Sequence, residues 1–357
     1  MPKEIKITSH KGVYSVKFED SIQELIKGLL ELDSHFIVDA NVAQIFGKEL
    51  HPILSRSSTI TLEATESNKS IDRVIPVMEK LVANAFRRNQ TLIAIGGGIT
   101  QDVTCFIAST LYRGVQWIFV PTTLLAQADS CIGSKSSINL SKVKNIIGTF
   151  YPPSEVLVTS EFLSSLSSND MKSGVGEILK VHAIDSCAAF DTLAKEYELL
   201  FTKRAVLESY VRQSLLIKQR YIEVDEFDKN VRNIFNYGHS FGHAIEAATD
   251  FGIPHGIAVS IGMDFANKVA AGRKLISEID FQRMHSTLLK NYSQHASTNI
   301  PKEAFLSALM KDKKNTAKNL VLILPVSNSC EIQKVEVPPD DFFIGQCNDF
   351  LSGLLNE

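Results

Sequence analysis

The chain has 357 residues, long enough for two domains with a substantial core, and 44% hydrophobic against 22% charged residues is the profile of a soluble globular protein. The formal charge is −3, so no global basic field calls for nucleic acid, and local basic residues need local anions. Cys105, Cys131, Cys187, Cys330 and Cys347 are odd in number and lack a CxxC pair, which points to reduced thiols. The N-terminus MPKEIKITSHKG offers no signal-peptide core, and no apolar run approaches the roughly 20 residues that cross a bilayer, so a cytoplasmic enzyme with no membrane partner is expected.

Short β-like runs come first: IKIT near residue 5, VYSVKF near 13 and HFIVDA near 35. Between them SIQELIKGLLEL has the spacing of an amphipathic helix, with Ser21 as a candidate N-cap. TITLEA near residue 60 precedes a helix-like segment from Ser70 to Arg88, and TLIAIGGGITQDVTCFIAST runs from an apolar strand through three glycines into a helix. This alternation predicts a parallel α/β sheet. Glycines after a strand let backbone N–H groups approach a pyrophosphate at a helix N-terminus, although Gly96, Gly97 and Gly98 do not match GxGxxG and a tight turn explains them equally. Asp39 ends a strand where a carboxylate can meet a ribose hydroxyl or simply form a turn.

A strand from Trp117 to Val120 then opens a polar stretch, with Asp129, Lys135, Asn139, Lys142, Lys144 and Asn145 close together. Long polar loops between strong strands carry function, and Lys135, Lys144 and Asn145 could clamp a phosphate. From about Ser160 the strand signals fade: EFLSSL, GVGEILKVHAI, AAFDTLAKEYELLF and RAVLESYVRQSLLIKQRYIEV read as amphipathic helices. The boundary is placed near the paired Pro152 and Pro153, giving an α/β domain over 1–158 and a mainly helical metal- and substrate-binding domain over 159–357. NYGHSFGHAIE then puts His239 and His243 four residues apart, with His255 twelve further on and Glu177 upstream in GVGEILK. On a helix any i, i+4 pair shares a face, so HxxxH fits ordinary helix histidines as well as a metal site. Flanking Gly238, Gly242 and Gly256 favour the metal reading, because glycine weakens a helix unless close approach requires it. Further on, KEAFLSALMKDKKNTA reads as a helix into a turn and NLVLILP as a strand.

GGGITQD, RGVQWIFVPTTLLAQADS, SKSSINLSKVKN, GVGEILK and NYGHSFGHAIE…PHG, in this order, resemble the dehydroquinate synthase family of sugar phosphate cyclases. The resemblance implies an N-terminal Rossmann-like parallel-sheet domain, a mainly α-helical C-terminal domain, NAD, and zinc or possibly cobalt. By it Glu177, His239 and His255 are the metal ligands, which removes His243 from the ligand set and places it near the substrate phosphate. Lys180, Lys218 and Asn236 join His243 as catalytic residues, and Asp129, Lys135, Asn145, Arg232 and a lysine of the DKK pair (Lys313 or Lys314) bind the substrate. The dinucleotide positions are Asp39, Asn41, Glu66, Lys69, Gly97, Gly98, Asp102, Thr122 and Thr123, with Lys144 beside them. Arg113 matches an arginine that reaches a neighbouring subunit's phosphate site, so a homodimer is implied.

The implied reaction converts 3-deoxy-arabino-heptulosonate 7-phosphate into 3-dehydroquinate and phosphate by NAD-mediated oxidation, phosphate β-elimination, reduction and intramolecular aldol closure. Arg232 favours this substrate, because a guanidinium fork suits a carboxylate. The family's phosphate loop usually reads GGKTGIN followed by His, whereas here it is Gly133-Ser134-Lys135-Ser136-Ser137-Ile138-Asn139 followed by Leu140, and Gln101 stands where glycine is usual before Asp102. The alternatives are another cyclase of secondary metabolism (2-deoxy-scyllo-inosose synthase, amino-dehydroquinate synthase or heptulose phosphate cyclase) and a metal-dependent polyol dehydrogenase.

Overall fold

The computed structural model describes residues 3–141, 143–312, 314–327 and 331–354; Lys142, Lys313 and Cys330 lie outside the described residues. The chain forms two compact units, Met1–Leu166 with Val211–Phe227, and Ser167–Tyr210 with Asp228–Glu357.

The first unit runs β1 (Glu4–Ser9), β2 (Gly12–Phe18), α1 (Ile22–Leu30), β3 (Ser34–Asp39), α2 (Ala40–Ile45), α3 (His51–Leu54), β4 (Thr59–Leu62), α4 (Ile71–Ala83), β5 (Thr91–Gly96), α5 (Gly98–Thr110), β6 (Trp117–Pro121), the hairpin β7 (Ile138–Leu140) and β8 (Val143–Ile147), and β9 (Glu155–Val158). Its sheet has the order β1-β2-β9-β6-β5-β3-β4, parallel apart from the β1–β2 hairpin. β3 is buried along its whole length and β5 nearly so, as expected for strands covered on both faces. Ser21 caps α1 as expected, its hydroxyl accepting the Glu24 amide. The chain builds β4 on one side of β3 and β5 on the other, so the strand order reverses between β3 and β5. In open α/β sheets that reversal opens a crevice at the carboxyl ends of the strands.

The second unit is helical: α6 (Ser168–Asp185), α7 (Cys187–Glu196), α8 (Leu199–Thr202), α9 (Arg204–Ile222, whose residues from Val211 onward cluster with the first unit), α10 (His239–Ala248), α11 (His255–Gly272), α12 (Glu278–Tyr292) and α13 (Lys302–Met310), then the hairpin β10 (Leu320–Val326) and β11 (Glu331–Val337), and α14 (Asp341–Leu354). α11 is its axis, buried continuously from Gly256 to Asn267 and packed by α6, α10, α12 and α14. The fold class expected from sequence is the one observed.

Several local expectations change. α4 ends at Ala83 rather than Arg88, and EFLSSL forms a 3₁₀ turn over Ser160–Ser165 instead of an amphipathic helix. The polar stretch holds the β7–β8 hairpin, and β9 sits where only a boundary was expected. Cys105, Cys131 and Cys347 are free thiols, but Cys187 is disulfide-bonded, which corrects the expectation of reduced thiols throughout. Among the described residues no helix is long and apolar enough to cross a membrane.

Candidate active site

In the first unit the carboxyl ends of the neighbouring parallel strands β3, β5 and β6 carry the cofactor candidates. Asp39 closes β3 and caps α2, its Oδ1 accepting the Asn41 amide at 2.8 Å. Burial raises the pKa of this carboxyl despite the amide bonds. The three glycines divide by role. A Cβ at Gly96 would lie 2.4 Å from Thr100 Oγ1 and one at Gly97 2.9 Å from Thr123 Cγ2, so packing alone demands glycine there. A Cβ at Gly98 would meet nothing within 4 Å, and no side chain caps α5. An open helix N-terminus of this kind has donors for a pyrophosphate, so the residues present fit a dinucleotide. Thr122 is buried, its amide donating to Gly96 O at 2.9 Å, and Thr123 Oγ1 accepts the Ala126 amide at 3.2 Å.

Beside this edge the remaining cofactor candidates and Asn145 form one polar network. Buried Lys69 reaches Asp102 at 3.1 Å, Asn145 Oδ1 at 2.8 Å and Glu66 at 3.8 Å, while Lys144 meets Glu66 at 3.7 Å. Ser137 and Asn139, absent from the expected site, complete it: Ser137 donates to Asp102 and Asn145, and Asn139 to Glu66. Burial raises the Asp102 pKa, opposed by Lys69 and Ser137. Asp129 sits on a π turn over Ala126–Ser130, where Lys218 from α9 meets its carboxylate at 3.0 Å and its carbonyl at 2.6 Å. Gln101 and Ser130 exchange two hydrogen bonds, of 2.6 and 2.7 Å, so the departure at Gln101 ties α5 to that turn. Lys135 is exposed between buried neighbours, and Arg113 is exposed in a turn of left-handed backbone.

In the second unit, close helix crossings create a cluster of imidazoles around a carboxylate. A Cβ at Gly176 would lie 2.0 Å from Gly256 O, and one at Gly256 1.8 Å from Ser173 O, so these glycines allow α6 and α11 to touch. That contact puts Glu177 beside His255, the first residue of α11. Glu177 Oε1 lies 3.3 Å from His255 Nε2 and 3.8 Å from His239 Nε2. Each of these imidazoles uses its other nitrogen elsewhere: His239 Nδ1 faces Tyr237 O at 3.2 Å, and His255 Nδ1 faces both Glu246 oxygens at 3.2 and 3.3 Å. These outer bonds aim both Nε2 atoms at Glu177. His243, one turn along α10, is exposed and meets His239 and His255 through ring contacts of 5.3 and 5.7 Å. A donor atom from each of the three imidazoles nevertheless lies within 4.8 Å of the others.

The electrostatics favour a cation. Burial opposes ionisation of Glu177, yet Lys180 at 2.5 Å and the two imidazoles hold its carboxyl well below the usual range. Burial also opposes a charge on His255, but Glu177 and Glu246 outweigh it and raise that imidazole to about 10. His239 goes the other way, lowered well below its ordinary value by burial and by the Lys180 charge. A site that retains a proton between two carboxylates is one a divalent cation can take over, and one carboxylate with two neutral Nε2 donors is a zinc-type set. Around it, Lys180 lies 5.7 Å from the Phe235 ring centre, Lys314 donates to Asn236 Oδ1 at 3.1 Å, and Arg232 is buried on the 3₁₀ turn Val231–Asn236. Glu246 was not among the expected site residues. Its signal was available, seven residues after His239 and so on the same helix face.

The fold is shared with solved enzymes. A 2-deoxy-scyllo-inosose synthase complexed with carbaglucose-6-phosphate, NAD+ and Co2+ superposes with a TM-score of 0.81 at 23% identity, covering 98% of this chain and 99% of its own. A 2-epi-5-epi-valiolone synthase from Streptomyces hygroscopicus subsp. jinggangensis 5008, with NAD+ and Zn2+ bound, gives 0.80 at 23%, covering 96% and 97%. These likenesses show a shared fold.

Sequence shows the family. The 3-dehydroquinate synthase N-terminal family matches residues 59–173 and its C-terminal counterpart residues 174–315. A 3-dehydroquinate synthase of Thermoanaerobacter sp. (strain X514) is 33% identical over 341 residues, 94% of this chain and 95% of that protein. The chain belongs to the 3-dehydroquinate synthase family.

Proposed function

We propose that the protein is a 3-dehydroquinate synthase, releasing phosphate from 3-deoxy-arabino-heptulosonate 7-phosphate and closing the carbocycle. The observation that carries this reading is the pair His239 and His255 around buried Glu177, with Glu246 behind His255 and Lys180 beside Glu177, in a chain of that family. When bound, NAD supplies reversible hydride acceptance and a divalent cation supplies Lewis acidity toward substrate oxygens. Gly98 and the uncapped start of α5 would hold the dinucleotide pyrophosphate, with Asp39, Asn41, Glu66, Lys69, Gly97, Asp102, Thr122, Thr123 and Lys144 as the other cofactor candidates. Glu177, His239 and His255 would hold the cation.

The remaining groups bind and move protons. Lys135 neutralises the phosphate and Asn145 orients it, and Arg232 grips the carboxylate through its planar fork. Asp129 and Lys218, ion-paired at 3.0 Å, bind substrate hydroxyls as an acceptor and a donor. His243, whose imidazole is exposed, exchanges a proton as phosphate departs. Lys180 keeps Glu177 ionised, and Asn236 holds Lys314. In this reading the enzyme is a cytoplasmic homodimer, with exposed Arg113 reaching the partner's phosphate site.

The test is a panel of sugar phosphates assayed for inorganic phosphate, with products identified by mass spectrometry. The reading requires phosphate and 3-dehydroquinate from the heptulosonate substrate. Turnover of glucose 6-phosphate or a carboxylate-free heptulose phosphate in its place would make the protein a different cyclase.

A further inference from the structure

Lys135 stands out of an otherwise anchored run. Ser134 and Ser136 on either side are buried, while Lys135 itself is exposed. The backbone around it is pinned to the segment after β8: the Tyr151 amide donates to Ser134 O at 2.6 Å, the Ser136 amide to Thr149 O at 2.9 Å, and Lys135 forms an isolated β-bridge with Phe150. Ser134 adopts a left-handed φ of 66°, a conformation that favours glycine, so a serine there needs compensation.

The compensation is visible. Ser134 Oγ donates to Glu226 Oε1 at 2.5 Å, and Glu226 in turn accepts the His10 amide at 2.7 Å and meets His10 Nδ1 at 3.1 Å. Burial opposes ionisation of Glu226, but these bonds hold its carboxyl below the ordinary value. Phe227 closes the cluster, with its ring 5.2 Å from His10 and 5.1 Å from Phe150. One carboxylate thus joins the N-terminal hairpin, the segment after α9 and the residue that precedes Lys135.

We propose that Ser134, Glu226 and His10 form a positioning clamp for Lys135, fixing its backbone so that its ammonium is presented to an anionic group of the substrate. The clamp rests on the reading of Lys135 as a phosphate-binding residue. None of its three members needs to touch the substrate; they act through the backbone of residue 135. A glycine at 134 would adopt the turn without strain but would leave it tethered by backbone bonds alone, so the serine exchanges conformational ease for a fixed geometry.

The test is Ser134→Gly, alone and combined with Lys135→Ala, in the full-length enzyme. Ser134→Gly should raise KM for the sugar phosphate by about tenfold, the scale of one hydrogen bond to a charged group, with kcat changed by less than about twofold. In the Lys135→Ala background the same substitution should have no further effect on kcat/KM. Hydrogen exchange should quicken in the peptide carrying residues 131–141, whatever the activity. If Lys135→Ala leaves kcat/KM unchanged, the parent reading of Lys135 fails and the clamp fails with it. If Lys135→Ala impairs the enzyme while Ser134→Gly is silent or strictly additive, Lys135 stands and the clamp is overturned. Unchanged exchange in Ser134→Gly overturns it without reference to catalysis.

Discussion

Replacing Glu246 with Gln isolates what the outer carboxylate does for the proposed metal site. The native carboxylate faces His255 Nδ1 with both oxygens, at 3.2 and 3.3 Å, and so fixes the ring with Nε2 toward Glu177. Glutamine keeps the shape and one acceptor but removes the charge. Loss of such a partner costs about 10- to 100-fold in metal affinity, or roughly 1.4–2.7 kcal/mol. The His255 side chain is 34% exposed, so water screens part of the effect and about tenfold is the expected loss. Zn2+ affinity would be read by competition with a chromophoric chelator, with circular dichroism checking the fold. An affinity within about twofold of the parent would refute the outer-carboxylate role. A loss as complete as that of His255→Ala would make Glu246 a ligand rather than a support.

The other expectations can be checked on the same material. His255→Ala should abolish stable binding of one divalent metal per chain, read by metal analysis after dialysis, because Glu177 and His239 alone make a weak open site. In metal-free protein the His255 imidazole is raised from 6.5 to about 10, so its contribution to stability is fully present below pH 6.5 and is lost as pH rises through 10. Thermal melts should therefore show metal-free protein weakening from pH 7 to 10, with added Zn2+ removing most of that slope; parallel slopes would contradict this. Arg232→Lys keeps the charge and loses the fork, so kcat/KM on the heptulosonate phosphate should fall about 10- to 100-fold with metal binding intact.

Much of this arrangement was legible because it is local. The apolar run Thr91–Gly96, the glycines after it, and Ser21 before α1 write their structures within a few residues. Glu177, His239 and His255 were expected from the resemblance, and their proximity in space depends on glycine contacts between α6 and α11 that spacing does not reveal. Four-residue β9 carries too short a pattern to stand out after two prolines, and the β7–β8 hairpin hides in polar sequence. Lys218 meeting Asp129 and Glu226 meeting Ser134 join positions about ninety residues apart, which no local period encodes. Ser134 and Gln101 read from sequence only as departures; in the structure each has a hydrogen-bonding partner that explains a side chain there.

In the proposed function NAD works catalytically in a phosphate-eliminating cyclisation. The most direct test supplies the metal-loaded enzyme with excess 3-deoxy-arabino-heptulosonate 7-phosphate and a limiting amount of NAD, following phosphate and absorbance at the NADH band together. The proposed function predicts many phosphates and many carbocyclic products per NAD, with no net NADH. Stoichiometric NADH from a simple polyol, with no phosphate released from the sugar phosphate, would contradict it.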